Sequence, residues 1–161
     1  MLRSLMLIAA AVGAVALLPA GGATAASGGC ALSGKANVSP PLKTDPHHID
    51  YTFRGKLSSC QGLSKIHSGR IRASGSGTGS CGGNETKGRG RIRWNTGASS
   101  RIRFKTLGAG ADVTVTGRVT GGKFKGSQVG ADLVFQTDHP QDCTDGGVAD
   151  PTFDGTASIG P

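Results

Sequence analysis

Between Arg54 and Lys105 the chain carries twelve lysines and arginines and one acid, Glu85. Guanidinium and ammonium groups at that density recognise anions, by charge-assisted hydrogen bonds at contact and by the field they sum to at longer range. The spacing matters as much as the number. From Lys87 to Lys105 the sequence reads Lys-Gly-Arg-Gly-Arg-Ile-Arg-Trp, then Asn-Thr-Gly-Ala-Ser-Ser, then Arg-Ile-Arg-Phe-Lys. Cations alternate with Gly, Ile, Trp and Phe on both sides of a turn-like segment, the pattern of a hairpin with one apolar and one charged face. Burying the apolar face predicts Trp94 opposite Ser100, Ile92 opposite Ile102 and Gly90 opposite Phe104. The same register sets Arg93 against Arg101, Arg91 against Arg103 and Arg89 against Lys105. A slip of one residue would turn every side chain to the wrong face.

Like charges directly opposite one another destabilise a strand pair by a few tenths to about 1 kcal/mol. Water and salt screen much of that, yet the arrangement is odd unless an anion visits it. Two preceding strands continue the alternation, which yields ten candidate polyanion-binding residues on one outer face: Arg54, Lys56, Arg70, Arg72, Arg89, Arg91, Arg93, Arg101, Arg103 and Lys105. Outside a cell the partner would be a wall phosphate polymer, an acidic polysaccharide, lipid headgroups or nucleic acid. No aromatic residue interleaves on that face, so the stacking of single-strand binders is not indicated. Past Thr106 the balance reverses, with three lysines or arginines against seven aspartates. The competing reading is a solvated strand face whose arginines only keep the protein soluble.

Other chemistry is thinner. The loop over 39–48 holds Asp45, His47 and His48, and the loop over 138–150 holds Asp138, His139, Asp142, Asp145 and Asp150. Imidazole and carboxylate can ligate a divalent cation, but the spacing fits neither an EF-hand nor a zinc motif, and the loops read as ordinary turn chemistry. No metal or other cofactor is expected. Gly126-Ser127-Gln128-Val129-Gly130 puts its serine one place too early for a nucleophile elbow. Gly75-Ser76-Gly77-Thr78-Gly79 introduces no helix, so it does not read as a phosphate-cradling loop. His67 stands alone. No catalytic residue is assigned. Asn84-Glu85-Thr86 matches a glycosylation sequon.

These residues must be positioned by strands. Residues 1–25 read as a secretory signal: Arg3, an uncharged apolar run from Leu5 to Leu18, Pro19, then Ala23-Thr24-Ala25 as a cleavage site. The run is too short and wrongly flanked to span a membrane. Ser27-Gly28-Gly29 before Cys30 lacks the aliphatic residue of a lipoprotein signal, so a secreted, freely soluble protein is expected, with residues 26–161 as a single all-β domain. Aromatics are few, with five Phe, one Trp and one Tyr, while glycine numbers 28. A core of that kind needs help, and four cysteines in an exported chain read as two disulfides.

Period-two alternation predicts strands over about 31–38, 49–57, 66–75 (with a bulge near Gly69), the two arms of the hairpin, 112–120, 123–137 and 151–159. No stretch has helical periodicity. Eight evenly spaced strands predict an antiparallel up-and-down barrel or a closely related sandwich. A recurring glycine, as in Gly34-Lys35-Ala36, Gly55-Lys56-Leu57 and Gly117-Arg118-Val119, would let the sheet bend into closure. In up-and-down order Cys30 and Cys60 meet at one end and Cys81 and Cys143 at the other, which predicts the pairs Cys30–Cys60 and Cys81–Cys143. Small inward residues leave room for a second function, a small-molecule carrier, which requires an interior pocket exceeding roughly 300 Å³. A monomer is favoured.

Cys30, Tyr51-Thr52-Phe53-Arg54-Gly55, Ser59-Cys60, Trp94, Phe124-Lys125-Gly126, Cys143 and Phe153-Asp154-Gly155 give the chain a further character. In these residues it resembles small exported all-β proteins of high-GC Gram-positive bacteria. The resemblance implies export and an all-β fold, and carries over no catalytic residue.

Overall fold

The computed structural model describes residues 27–139 and 141–161, so the leader read over 1–25 lies outside the described residues. The alternating segments form eight strands: β1 (Gly28–Ser39), β2 (His47–Gln61), β3 (Gly69–Ser80), β4 (Gly83–Trp94), β5 (Ser99–Ala109), β6 (Asp112–Gly122), β7 (Gln128–Gln136) and β8 (Thr152–Gly160). Each pairs antiparallel with the next, and β8 returns to β1, so the sheet closes into an up-and-down barrel. The predicted inward residues face the interior, with Leu32, Val38, Ile49, Leu57, Ile71, Val119, Leu133, Phe153 and Ile159 buried. Both predicted disulfides, Cys30–Cys60 and Cys81–Cys143, are present. The first takes up the Cys30 thiol that a lipid anchor would need.

The strands tilt steeply. Stepping from Leu32 through Gly155, Leu133, Val113, Gly108, Asn84 and Gly79 leads to His47. Continuing the β1–β2 pairing places His47 level with Leu42, roughly ten residues beyond the start, and such stagger opens an eight-stranded barrel wide enough for an interior space.

Its two ends differ. At the lower end the β2–β3 loop inserts Leu63 and Ile66, both buried, beneath Trp94. The Trp94 ring meets Phe124 edge-on at 5.7 Å, and its Nε1 donates to Ser100 Oγ at 2.9 Å. Ser100 in turn donates to the Lys123 carbonyl at 2.6 Å, so the buried indole and hydroxyl are both satisfied. Asn95 anchors the loop, accepting from the amides of His67 and Ser68. At the upper end the β1–β2 and β7–β8 loops join through a Leu42–Val148 bridge. The Cys81–Cys143 disulfide pins them to the β3–β4 turn.

Three expectations need correction. The β4–β5 register is displaced by two residues: Ile92 faces Ser100 and Gly90 faces Ile102, so Arg91 opposes Arg101, Arg89 opposes Arg103, Lys87 opposes Lys105 and Arg93 opposes Ser99. The turn decides this. Trp94 N donates to the Ala98 carbonyl at 2.9 Å and Gly97 N to the Trp94 carbonyl at 3.0 Å, leaving a three-residue loop with Gly97 at φ +84°. That tight loop is a favoured hairpin form that needs a residue tolerant of positive φ. A shift of two preserves every side chain's face, so burial cannot distinguish the two registers. Secondly, residues 66–68 and 123–127 lie in the loops between strands rather than in strands. The β2–β3 ladder runs without the bulge expected near Gly69, and irregularities fall instead near Gly29 and Arg101. Finally, the β7–β8 loop contains one short helix, α1 (Asp142–Asp145), too brief to show periodicity.

Candidate functional site

Because cations occupy alternate positions on successive strands, closing the barrel gathers them on one outer wall. All ten candidate residues are exposed there. The registers put them in rows. One runs Lys35, Arg54, Arg72, Arg91, Arg101 across β1 to β5 without interruption. A second runs Lys56, Arg70, Arg93, and a third runs Arg89, Arg103, Arg118 into β6. Lys105 pairs with Lys87 in a fourth. Neighbouring strands lie about 4.8 Å apart and alternate residues along a strand about 7 Å apart, so the wall is a grid of positive charge at near-molecular spacing. None of the direct cross-strand partners of the ten is an acid. The wall is convex, so the side-chain tips diverge and like-charge repulsion is eased.

Lys35, Lys87 and Arg118 extend the wall beyond the ten. Their signal was available, since each continues the same alternation: Lys35 and Arg118 follow the recurring glycine, and Lys87 opens the hairpin stretch. Between β2 and β4 the wall dips over Gly75 and Gly88 into a shallow depression lined in part by Asp50, Ser74, Ser76, Lys87, Arg89 and Arg103. Serine hydroxyls beside three cations can donate to the oxygens of a phosphate or sulfate, with the single carboxylate of Asp50 opposing the anion. Gly75 is required where it stands, because a Cβ there would collide with the Tyr51 hydroxyl and the Lys87 carbonyl.

The aspartates of the C-terminal third take other partners. Asp132 accepts from Thr114 Oγ1 at 3.1 Å, Asp154 from Gln136 Nε2 at 3.1 Å and Asp150 from Asn37 Nδ2 at 2.7 Å. Asp112, Asp132 and Asp154 point outward from β6, β7 and β8.

The upper loops do not converge on a metal. Both ring nitrogens of His47 lie against carbonyls of its own loop, Asp45 at 2.9 Å and Pro41 at 3.0 Å. Among the described residues no group of three or more His, Cys, Asp or Glu side chains is placed to hold an ion, and no helix is long and apolar enough to cross a membrane. His67 is exposed, with its Nε2 3.0 Å from Asn95 Nδ2. Gly75 to Gly79 lies within β3. The sequon asparagine, Asn84, has its Oδ1 occupied by the Thr106 hydroxyl at 2.7 Å.

Inside the upper half of the barrel lies a cavity of about 260 Å³, below the 300 Å³ or so at which drug-sized ligands are usually held. Its walls are mostly apolar, including Val113, Leu133 and Phe135. One polar chain crosses it. Thr106 donates to Asn84 Oδ1 at 2.7 Å, the Thr86 and Thr106 hydroxyls are 2.7 Å apart, and Thr86 lies 3.1 Å from the Tyr51 hydroxyl. Burial pushes the Tyr51 phenol above its ordinary value, partly offset by the Thr86 contact. Sequence reading missed this chain, although the inward parity of Ile92, carried back along β4, reaches Thr86 and Asn84.

Set against known protein families, curated proteins and solved structures, the chain finds no match in any of the three.

Proposed function

We propose that this is a secreted, non-catalytic binding protein that contacts an extracellular polyanion through the basic wall of β1 to β5. The observation that carries the reading is the row Lys35, Arg54, Arg72, Arg91, Arg101: five cations on five neighbouring strands with no acidic cross-strand partner. A fold in search of solubility would gain as much from charges of mixed sign, without the repulsion. A flexible polymer bearing phosphate or sulfate can lay successive anions along such a grid, releasing counterions as it does so. Export is supported by the leader-like residues 1–25 and by two disulfides, which persist in oxidising compartments. A monomer is supported by closure, since a barrel leaves no strand edge for a second copy to pair with.

Retention on heparin beads through a salt series tests the reading. The protein should bind at low salt and elute as salt rises, and Arg91→Glu with Arg103→Glu should release it far earlier. Retention that ignores salt, or a variant that elutes with the wild type, would refute it.

A further inference from the structure

We propose a second binding site in the upper half of the barrel, for a compact, uncharged, largely apolar molecule that docks one hydrogen-bonding group on the Tyr51 hydroxyl. The two ends of the interior argue for it. The lower end is filled by Trp94, Phe124, Leu63 and Ile66, whereas small residues such as Ala36 and Ala131 leave the upper end hollow. Protein interiors are otherwise packed to crystal-like density, so a void of about 260 Å³ is a departure confined to one end. An apolar cavity of about 150 Å³ already accepts benzene, which leaves room here for one or two fused rings.

Chemistry narrows the occupant further. Among the described residues no Lys, Arg, Asp, Glu or His lines the cavity, so none of them would offset the desolvation of a charged guest. Phe53 and Phe135 present aromatic surface and pack around the buried Phe153, at centroid distances of 4.7 and 5.4 Å. The polar chain from Asn84 through Thr106 and Thr86 ends at Tyr51, two residues before Phe53 on β2. A phenol offers one donor and two acceptor sites, and Thr86 takes up only one of the three. With the Thr106 proton on Asn84 and the Thr86 proton on Thr106, the Tyr51 proton goes to Thr86, so the phenol oxygen keeps its acceptor sites for a guest's donor. Gly110, Ala111 and Gln136 line the cavity while exposed to solvent, which places a mouth between the β5–β6 turn and the end of β7, away from the Leu42–Val148 bridge.

The test compares 2-naphthol with naphthalene by fluorescence titration, using full-length mature protein at neutral pH. One 2-naphthol should bind per chain, about three- to tenfold tighter than naphthalene, the range of one hydrogen bond. Tyr51→Phe should erase that preference and leave naphthalene binding intact. Filling the cavity with Ala131→Phe, or with Val115→Phe should the first fail to fold, should abolish both while circular dichroism stays unchanged. The proposal is overturned if folded wild type takes up neither probe at concentrations on the order of 1 mM. It is equally overturned if a folded filled variant binds as before, or if Tyr51→Phe keeps the preference.

Discussion

The walls formed by β2–β5 and by β6–β8 are built from the same alternating strands around one interior, yet their outer faces differ in kind. On β2–β5 the outward positions within 54–56, 70–72, 87–93 and 101–105 are arginine and lysine in rows, with the acids Asp50 and Glu85 nearer the upper end. On β6–β8 they are mainly threonine, serine, glutamine and aspartate, with the exposed Val134 on β7 and one arginine, Arg118, at the border. The interior places no such demand, because inward residues on both walls are mostly apolar or small, apart from the chain of Asn84, Thr106, Thr86 and Tyr51. Burial therefore explains what points inward but not why cations gather on one outer wall.

The two walls can be separated or altered, and the effects should fall in a definite order. The largest comes from the bond that ties them together at the upper end, Cys81 on the β3–β4 turn to Cys143 beside the aspartate-rich loop, spanning 62 residues. Replacing both cysteines by serine should cost about 4 kcal/mol of stability, by loss of the constraint on the unfolded chain; denaturant midpoints will show it. Next, Arg72→Glu with Arg91→Glu should weaken heparin binding about a hundredfold, since two charge-assisted contacts are lost. Asp132→Asn with Asp154→Asn on the other wall should leave it within about threefold, as isothermal titration would measure.

A smaller effect bears on cost. Arg91 sits between Arg72 and Arg101, so Arg91→Thr should stabilise the barrel by a few tenths to about 1 kcal/mol. Asp132→Thr should give no gain, because it forfeits the Thr114 contact. Equal gains on both walls would mean that the cations carry no strain. The smallest effect is alkaline. Tyr51 has a raised pKa in the folded state, so the unfolded chain releases that proton first as pH passes about 10. The stability tied to a neutral Tyr51 is full below that point and is lost as pH climbs through its folded value. Tyr51→Phe should flatten the decline above pH 10, visible as a smaller fall in thermal midpoint.

Faces were legible in the sequence because apolar residues repeat every second position: Ile92, Trp94, Ile102 and Phe104 could be placed without coordinates. So were the disulfides, since strand order alone decides which cysteines share an end. The β4–β5 register was not legible from burial, because a two-residue shift costs no buried surface. Asn95-Thr96-Gly97 carried that information instead, through the positive φ of Gly97. Leu63 and Ile66 were unreadable as a plug, since a loop has no periodicity to expose its inward residues. Thr86 and Thr106 were hidden by their own polarity, which reads as outward until the strand's parity is followed.

The most direct test is a chemical-shift map of the backbone amides during titration with a heparin-derived hexasaccharide. Shifts should concentrate at Arg54, Arg72, Arg91, Arg101 and their outward neighbours on β2–β5 and fade as salt is added, with β7 and β8 silent. Shifts spread evenly around the barrel, or centred on β6–β8, would contradict it.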